Sequence, residues 1–452
     1  MLHFRSGRKG SEPPQKKQAF LLRVRRRHNL RILVTQSLKM PARNAIPAAL
    51  VPHLPDALRT ADYTAVHTWA TAHPADFWEA VWAATAPHHA RTYALARLAG
   101  RWFIGSQINL AAQVLEQGDW DGPALLFRNE LIEAPIPFAR SEQYGQVASL
   151  AAYLRNQNIG KGDVVGVYLP VVPEALYILY ATWAVGATVR YCGLSVPPER
   201  ASRYFADAGV QLLVAADGYR HAGKAIDRMP DLAQLQQQLP ELRRTVLLPY
   251  LDTEARWDQL RDTVTWLHTF NAAATTLDYR YVGFHHDAWR RADRTLEHGG
   301  LLLTALKYGL DMKVQPGRIC LIDAATEAER LLWAVRVQLC GGVPVLSDTA
   351  ANYPNGYVIW KTAKETEAAL VQLSAESIST ADVDLSGYQP MDNLKQIVLT
   401  GAADEAVQQW VRRELPAELH LIRWDDAQGQ SSDWQAAGTV ILEGHRSDTP
   451  LA

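Results

Sequence analysis

Two neighbouring histidines beside an acid, His285 and His286 with Asp287, and a second pair, His88 and His89, are the residues of this chain best suited to hold a metal ion. Such a site needs three or four ligands converging on one point, whereas adjacent residues aim their side chains apart. No third ligand has a matching spacing, so no metal site is expected. Ser141, Ser195 and Ser347 lack the flanking glycines of a nucleophile elbow, and Cys192, Cys320 and Cys340 have no evident base. Nucleophilic catalysis therefore has no support in the sequence. No glycine-rich stretch ends in Gly-Lys with Ser or Thr, which excludes that kind of phosphate loop. The paired glycines of GGLLL (299 to 303) and CGGV (340 to 343) suit tight packing at least as well as anion binding. Residue chemistry alone names no catalytic residue.

The elements that would have to position such groups are clearer. DFWEAVWAATA has helical spacing that lets Phe77, Val81 and Trp82 share one face. SEQYGQVASLAAYLRNQNIG reads as a helix stopped by Gly160, and VVGVYLP as a buried strand. PEALYILYATWAVG carries Pro173 at its start and Gly186 at its end, the usual asymmetry of helix termini. TVRYCG, PERASRYFADAG and VQLLVAAD continue as strand, helix and strand, which predicts a parallel sheet with short connections over residues 161 to 216. Residues 217 to 280 are looser, with DLAQLQQQLPELRR as a surface helix and TVLLPYL as a strand. After Gly317 the alternation resumes through RICLID, ATEAERLLWAVRVQL, VPVLS, LKQIVLT, DEAVQQWVRREL and LHLIRW, a second α/β half.

With 452 residues, 48% hydrophobic and 21% charged, the chain can bury more than one core. Its net charge of −1 hides an asymmetry: residues 1 to 40 hold eleven Lys or Arg against the single acid Glu12, leaving 35 basic against 46 acidic residues, a body charge of −11. An acidic body argues against a nucleic-acid binder, which needs a clustered cationic face. The basic tail has the composition of a mitochondrial transit peptide, but Met40 followed by PARNAIPAALVPHL looks like a natural beginning, and a miscalled start or a disordered extension is the preferred expectation. Three cysteines without metal-ligand spacing suit a reducing compartment, taken as the cytoplasm. LYILYATWAVGA (176 to 187) is too short to cross a bilayer, so no membrane span is expected.

The segment AADGYRHAGKAIDRMPDL, followed by LPELRRTVLLPYLD, resembles acetoacetyl-CoA synthetases, in which a DGYRY-x-GK element precedes a VVVVPYL strand. Other pieces occur in the same order. VHTWATAHPADFWEAVW, RWFIGSQINLAAQVL, KGDVVGVYLPVVPEALYILYATWAVGA, EHGGLLLTALKYGLDMKVQPGR and DVDLSGYQPMDNLKQIVLTGAADEAVQQWV each resemble a family segment, so the likeness covers about residues 63 to 424 in pieces. It implies the large N-terminal domain of the adenylate-forming fold, with two α/β subdomains and mostly parallel sheets. Residues 1–40 are then a basic disordered tail, 41–140 a helical entry region, 141–280 the first α/β subdomain and 281–452 the second. That second subdomain is expected to be truncated, with the mobile C-terminal subdomain and its catalytic lysine absent.

The family joins acetoacetate to ATP and then passes the acyl group to coenzyme A. The resemblance therefore implies ATP, coenzyme A and magnesium as cofactors and small acyl or coenzyme A ligands as partners; it names no protein partner. Two devices serve that chemistry. A glycine and hydroxyl loop, "YSSGTTGLPK", wraps backbone N–H groups around the phosphates. Counted back without gaps from His298, Gly299 and Gly300, its "GTTGLPK" positions are here His286, Asp287, Ala288, Trp289, Arg290, Arg291 and Ala292, with every glycine and hydroxyl lost. The second device, an "SGGTD" or "TETG" turn for adenylate and magnesium, falls at IRWDDAQGQ, where Asp425 and Asp426 are out of register. The elements kept are Thr400 and Gly401, and on the coenzyme side Arg220, Gly223 and Lys224.

Three outcomes follow from these losses: a degenerate synthetase persisting as a binding or regulatory protein, a working acyl-CoA ligase using Arg290, Arg291 and Asp425 or Asp426 in altered roles with or without a complementing chain, or the product of a decaying or locally misread gene. The tail makes a separate expectation testable. Its charge and lack of apolar periodicity predict disorder over the first 40 residues, so their amides should exchange with deuterium at unprotected rates, and protection there would refute it.

Overall fold

The computed structural model describes residues 46, 48–85, 90–91, 97–98, 101–252, 257, 259–272, 274–291, 295–350, 353–374, 377–378, 385–388, 391–400, 410 and 420–424. The basic tail, His88, His89, Ala292, Gly401, Asp425 and Asp426 lie outside the described residues.

The chain enters through helices α1 (Tyr63–Ala72) and α2 (Pro74–Thr85). The Asp62 carboxylate caps α1 by accepting the Ala65 N–H at 2.9 Å, satisfying one of the donors that a helix start leaves open. In α2, Phe77 and Val81 turn inward as their spacing predicts, and Trp82 stacks on Phe103 at 4.9 Å. Short strands β1 (Ala90–Arg91), β2 (Arg97–Leu98), β3 (Arg101–Trp102) and β4 (Gln107–Ile108) follow, then the buried helix α3 (Leu110–Leu115). Asn109 starts α3 and does three jobs. Its carbonyl oxygen accepts the Ala112 N–H at 3.1 Å, while its amide nitrogen donates to the carbonyls of Trp183 at 3.0 Å and Arg280 at 2.9 Å.

The entry region is not all helix. Residues 123 to 139, expected within it, form β5 (Pro123–Asn129) and β6 (Ile132–Ala139), an antiparallel pair. Helix α4 (Arg140–Asn156) then ends earlier than Gly160: Asn158 takes the left-handed conformation at φ 56°, which asparagine tolerates, and the Ile159 N–H closes onto the Leu154 carbonyl at 2.9 Å. β7 (Val164–Tyr168), α5 (Pro173–Ala184), β8 (Thr188–Cys192), α6 (Pro198–Ala206) and β9 (Leu212–Ala216) run strand, helix, strand as predicted, with parallel ladders between β7 and both β8 and β9. α5 has Pro173 in its first turn and Gly186 just beyond its end at φ 79°. Next come the hairpin β10 (Gly218–His221) and β11 (Lys224–Asp227), α7 (Met229–Gln237), β12 (Arg244–Leu248) and β13 (Thr263–Thr265).

β14 (Val282–Gly283) adds to β4, and β15 (Asp287–Arg290) with β16 (Thr295–Glu297) closes the first sheet. Its order is β13-β12-β9-β7-β8-β15-β16, parallel except for the last pair. Residues 287 to 297, expected in the second half, thus belong to the first sheet. Helix α8 (His298–Asp311) leads to β17 (Ile319–Asp323), α9 (Glu327–Leu339), β18 (Val343–Asp348), α10 (Val358–Glu365), β19 (Leu370–Ser374), β20 (Gln396–Thr400) and β21 (His420–Trp424). These strands, with β5 and β6 at one edge, make the second sheet in the order β21-β20-β19-β17-β18-β5-β6. β5 crosses over because its apolar run pairs in parallel with β18.

Every residue of α5 except Glu174 is buried, as expected of a helix without a polar face. Its Tyr180 hydroxyl donates to the Gln338 side chain of α9 at 2.5 Å, and Gln338 donates in turn to the Ala124 carbonyl of β5 at 2.9 Å. One buried amide therefore links α5, α9 and the second sheet. No described helix is long and apolar enough to cross a membrane.

Asn109 gives this architecture a test. Asn109→Ala should cost on the order of 2 kcal/mol in urea unfolding, because a cap, one buried carbonyl and one partly buried carbonyl lose their partner. Asn109→Asp should also destabilise, since a carboxylate cannot donate to either carbonyl; an Asp variant as stable as the parent would refute this account.

Candidate functional site at the carboxyl ends of the strands

In open α/β sheets ligands bind beyond the carboxyl ends of the strands, and here those ends gather buried carboxylates. Asp217 follows β9 and accepts three backbone N–H groups, from Tyr250 at 2.7 Å and from Leu251 and Asp252 at 2.8 Å. This explains why DGYR and VLLPYLD occur together: the acid of the first fixes the backbone of the second. Burial raises the Asp217 pKa although these N–H groups oppose it. Asp348, at the end of β18, accepts the Tyr250 O–H at 2.6 Å and the Val171 N–H at 3.4 Å. Its pKa is also raised, chiefly by burial.

Glu327 opens α9 and reaches back over the turn after β8, where it accepts the Ser195 hydroxyl at 2.5 Å and the Ser195 N–H at 3.3 Å. A Cβ on Gly193 would overlap its carboxylate, so glycine is required there. Burial raises Glu327 as well. Arg330, one turn further on, pairs with Asp323 at 3.2 Å and donates to the carbonyls of Ala324 at 2.9 Å and of Ser347 and Thr349 at 3.1 Å.

The three residues that the resemblance places on the coenzyme side, Arg220, Gly223 and Lys224, lie together on the β10–β11 hairpin, where Arg220 stands opposite Ala225 and His221 opposite Lys224. Ala222 and Gly223 form its turn, both left-handed at φ 49° and 79°. Such a turn aims consecutive N–H groups at one point and suits an anion. The point is taken by the chain itself: the Glu130 carboxylate, from the β5–β6 turn, accepts the Ala222 N–H at 2.7 Å, the Gly223 N–H at 2.8 Å and the Ala350 N–H at 3.2 Å. Thr400 ends β20 with its hydroxyl donating to the Leu373 carbonyl at 3.2 Å and accepting from Gln372 at 3.1 Å. The structure does not bring Thr400 into contact with the hairpin among these bonds.

The positions counted as the phosphate loop are mostly a strand. β15 runs parallel to β8, with Ala288 buried and Trp289 fully so. It pairs with β16 from Asp287 opposite Glu297 to Arg290 opposite Thr295, with four residues of sequence between the two strands. Arg290 pairs with Asp287 at 3.0 Å, and the carbonyls of Arg290 and Arg291 accept from Tyr204 at 3.0 Å and Arg190 at 2.9 Å.

Other sequence candidates fall into packing roles. His285 bonds Glu297 and His286 bonds the Gly186 carbonyl, so the adjacent histidines have separate partners. Among the described residues no group of three or more His, Cys, Asp or Glu is placed to hold a metal. Ser347 bonds Thr349, and burial pushes the thiols of Cys192, Cys320 and Cys340 up to about 12, which leaves them unreactive. Gly299 packs against the Phe284 ring. Sequence reasoning missed Glu130, Asp217, Glu327, Arg330 and Asp348. Only Asp217 carried a signal, its place in the DGYR element.

A cavity of about 40 Å³ lies beside β17, β18 and α10, lined by Asp323, Ser347, Tyr353, Trp360 and Leu373 among others. It has space for one or two waters, well below the ~300–1,000 Å³ usual for small-molecule sites.

Comparison with known proteins gives this arrangement a class. Residues 139–278 match the family of AMP-binding enzymes. The fold is that of the acetoacetyl-CoA synthetase from Streptomyces lividans: the two superpose with a TM-score of 0.75 at 28% identity, covering 83% of this chain and 62% of that one. The chain is thus similar in fold to an acetoacetyl-CoA synthetase and, over residues 139–278, to AMP-binding enzymes.

More particularly, it resembles the N-terminal portion of acetoacetyl-CoA synthetases. The Macaca fascicularis acetoacetyl-CoA synthetase is 24% identical over 325 residues, 66% of this chain and 48% of that protein. The Rhizobium meliloti (strain 1021) acetoacetyl-coenzyme A synthetase is 29% identical over 200 residues, 43% and 30% of the two. An acetyl-coenzyme A synthetase from Photobacterium profundum is 26% identical over 183 residues, 39% and 28%. The chain spans about half the length of the mammalian relatives it matches.

The buried acids predict a pH effect. A carboxyl whose folded pKa is raised favours folding while protonated, and that contribution is lost as pH rises from the unfolded value, about 3.9 for Asp, through the folded one. Asp348→Asn should therefore gain stability relative to the parent as pH rises from about 4, then level off once Asp348 has ionised. Urea unfolding of both proteins across pH 4 to 8 measures the difference; a flat or falling difference would refute it.

Proposed function

We propose that this chain is a non-catalytic relative of acetoacetyl-CoA synthetase, which keeps the α/β body as a binding or regulatory protein and makes no acyl-adenylate. The observation that carries this reading is the strand Asp287–Arg290, with Trp289 buried and a four-residue connection after it, in place of a phosphate-wrapping loop. Branched and bulky residues cannot bring backbone N–H groups as close to phosphate as glycine can. The residues present do not fit ATP: Asp287 would repel the phosphates, and Arg290, the nearest cation, is already paired with it.

Coenzyme A fits in part. Lys224 is exposed and Arg220 half-buried on their hairpin, but the N–H groups between them are held by Glu130. Small acyl or coenzyme A ligands are accordingly the partners we favour, with no role for nucleic acid. Magnesium has no set of ligands among the described residues. Three unpaired cysteines suit a reducing compartment such as the cytoplasm.

Pyrophosphate exchange into labelled ATP, with acetoacetate or acetate, is the decisive assay. No exchange above background is expected, since losing even one preorganised charge stabiliser costs about 100- to 1,000-fold in rate. Robust exchange that disappears in Arg290→Ala/Arg291→Ala would overturn the reading in favour of an active acyl-CoA ligase with an altered ATP site.

A further inference from the structure

The Glu130 carboxylate joins two elements, and neither needs it for its own pairing. On its own side, the β5–β6 turn is closed by Asn129, whose side-chain carbonyl accepts the Leu131 and Ile132 N–H groups at 3.0 Å. On the other side, the β10–β11 hairpin is a complete two-stranded ladder, from Gly218 opposite Asp227 to His221 opposite Lys224. Its turn residues, Ala222 and Gly223, are exposed. Water can satisfy exposed N–H groups, so burial does not force a carboxylate onto this turn.

The contact is nonetheless specific. Oε1 of Glu130 accepts the N–H groups of Ala222 at 2.7 Å and Ala350 at 3.2 Å, and Oε2 accepts that of Gly223 at 2.8 Å. Two left-handed residues in succession aim the first pair of donors at one point. Glycine is required in the second place, since at φ 79° a Cβ would also lie 2.6 Å from the Tyr353 hydroxyl. Residues opposite one another in an antiparallel ladder share a face, so His221 and Lys224 stand together on one side of the turn and Arg220, one position back, on the other. None of these three forms an ion pair among the described residues. Arg220 and Lys224 thus bring two positive charges to a turn whose occupant carries one negative charge. A phosphate dianion has the oxygens for the same N–H groups and a second charge for the cations beside them.

We propose that Glu130 is a tethered competitor: its carboxylate closes an anion site on the β10–β11 turn in the unliganded chain, and a phosphate dianion opens the site by displacing it. Displacement asks only for rotation of the Glu130 side chain, because Asn129 keeps the β5–β6 turn and the ladder keeps the hairpin. A phosphate taking the same three N–H groups leaves the hairpin where Glu130 holds it. The inference deepens the reading of the chain as a binder of small ligands and rests on it in taking the hairpin for a ligand site. Pyrophosphate exchange can succeed or fail without moving the result for Glu130, so the two are tested separately.

Calorimetric titration of the full chain at fixed ionic strength and about pH 8, where phosphate is a dianion, is the test, with inorganic phosphate and phenyl phosphate as probes and acetate as the monoanionic control. The parent should bind phosphate weakly, with Kd on the order of 10 mM, because a site open for a small fraction of the time loses affinity by that fraction. Glu130→Ala should tighten phosphate about tenfold, and Glu130→Gln, which removes the charge but keeps an acceptor, by a few-fold. Adding Lys224→Ala to either should remove the gain, and acetate should gain less than phosphate. Phenyl phosphate bound as tightly as phosphate assigns the site to the terminal phosphate of an organic molecule, and phosphate bound alone assigns it to the free ion. Unchanged urea midpoints identify folded variants, and the Gln variant carries the test where the Ala variant does not fold. Equal phosphate affinity in the parent and the Glu130 variants, a gain that survives Lys224→Ala, or acetate gaining as much as phosphate would each overturn the proposal.

Discussion

Four carboxylates where the strands end, Asp217 and Asp348 buried and Glu130 and Glu327 partly so, are each satisfied by the chain's own donors and set the form of this molecule. A buried charge without partners is prohibitively costly, so the backbone around each acid must stay where its N–H groups reach the oxygens. Asp217 thereby fixes the segment after β12, Asp348 joins β18 to Tyr250 and to the start of α5, and Glu327 locks α9 onto the turn after β8. Glu130 does the same for the β10–β11 hairpin. The two sheets meet through these bonds on one side and through Gln338 on the other.

The same interactions bear on what the cleft can do. Backbone N–H groups converging on a point will hold a phosphate or a carboxylate with little preference for its source. In this chain the convergent donors of the hairpin hold Glu130, and the positions counted as a phosphate loop fall mostly on strand β15. The α/β body is thus kept intact by contacts made within it, and the convergent N–H groups of the hairpin are among those contacts. A fold of this kind can persist without its chemistry, because the sheets depend on apolar strands and buried acids, neither of which requires a ligand.

The alternation of helix and strand, the parallel ladders of β7, β8 and β9, and the ends of α5 were legible because they rest on local rules: apolar runs, Pro at a helix start and Gly at its end. The relationship to acetoacetyl-CoA synthetases was legible too, since collinear segments survive insertion and loss between them. Less legible was everything that depends on length. The positions counted as a phosphate loop fell on the strand β15, and Asn158 ended α4 two residues ahead of the glycine that seemed to stop it.

By itself, then, the sequence determined the fold class, the core strands and the kinship, all properties of neighbouring residues or of segments in order. Only the tertiary structure decided which strands share a sheet. β5 and β6 leave the entry region to pair with β18, and β15 and β16 turn back to β8, because ladder partners are chosen by complementary apolar faces across hundreds of residues. It also decided the partners of each buried acid: Glu130 meets Gly223 and Ala350, and Glu327 meets Ser195. No spacing encodes such pairs, since they exist only once two sheets have folded against each other and left those oxygens facing those N–H groups.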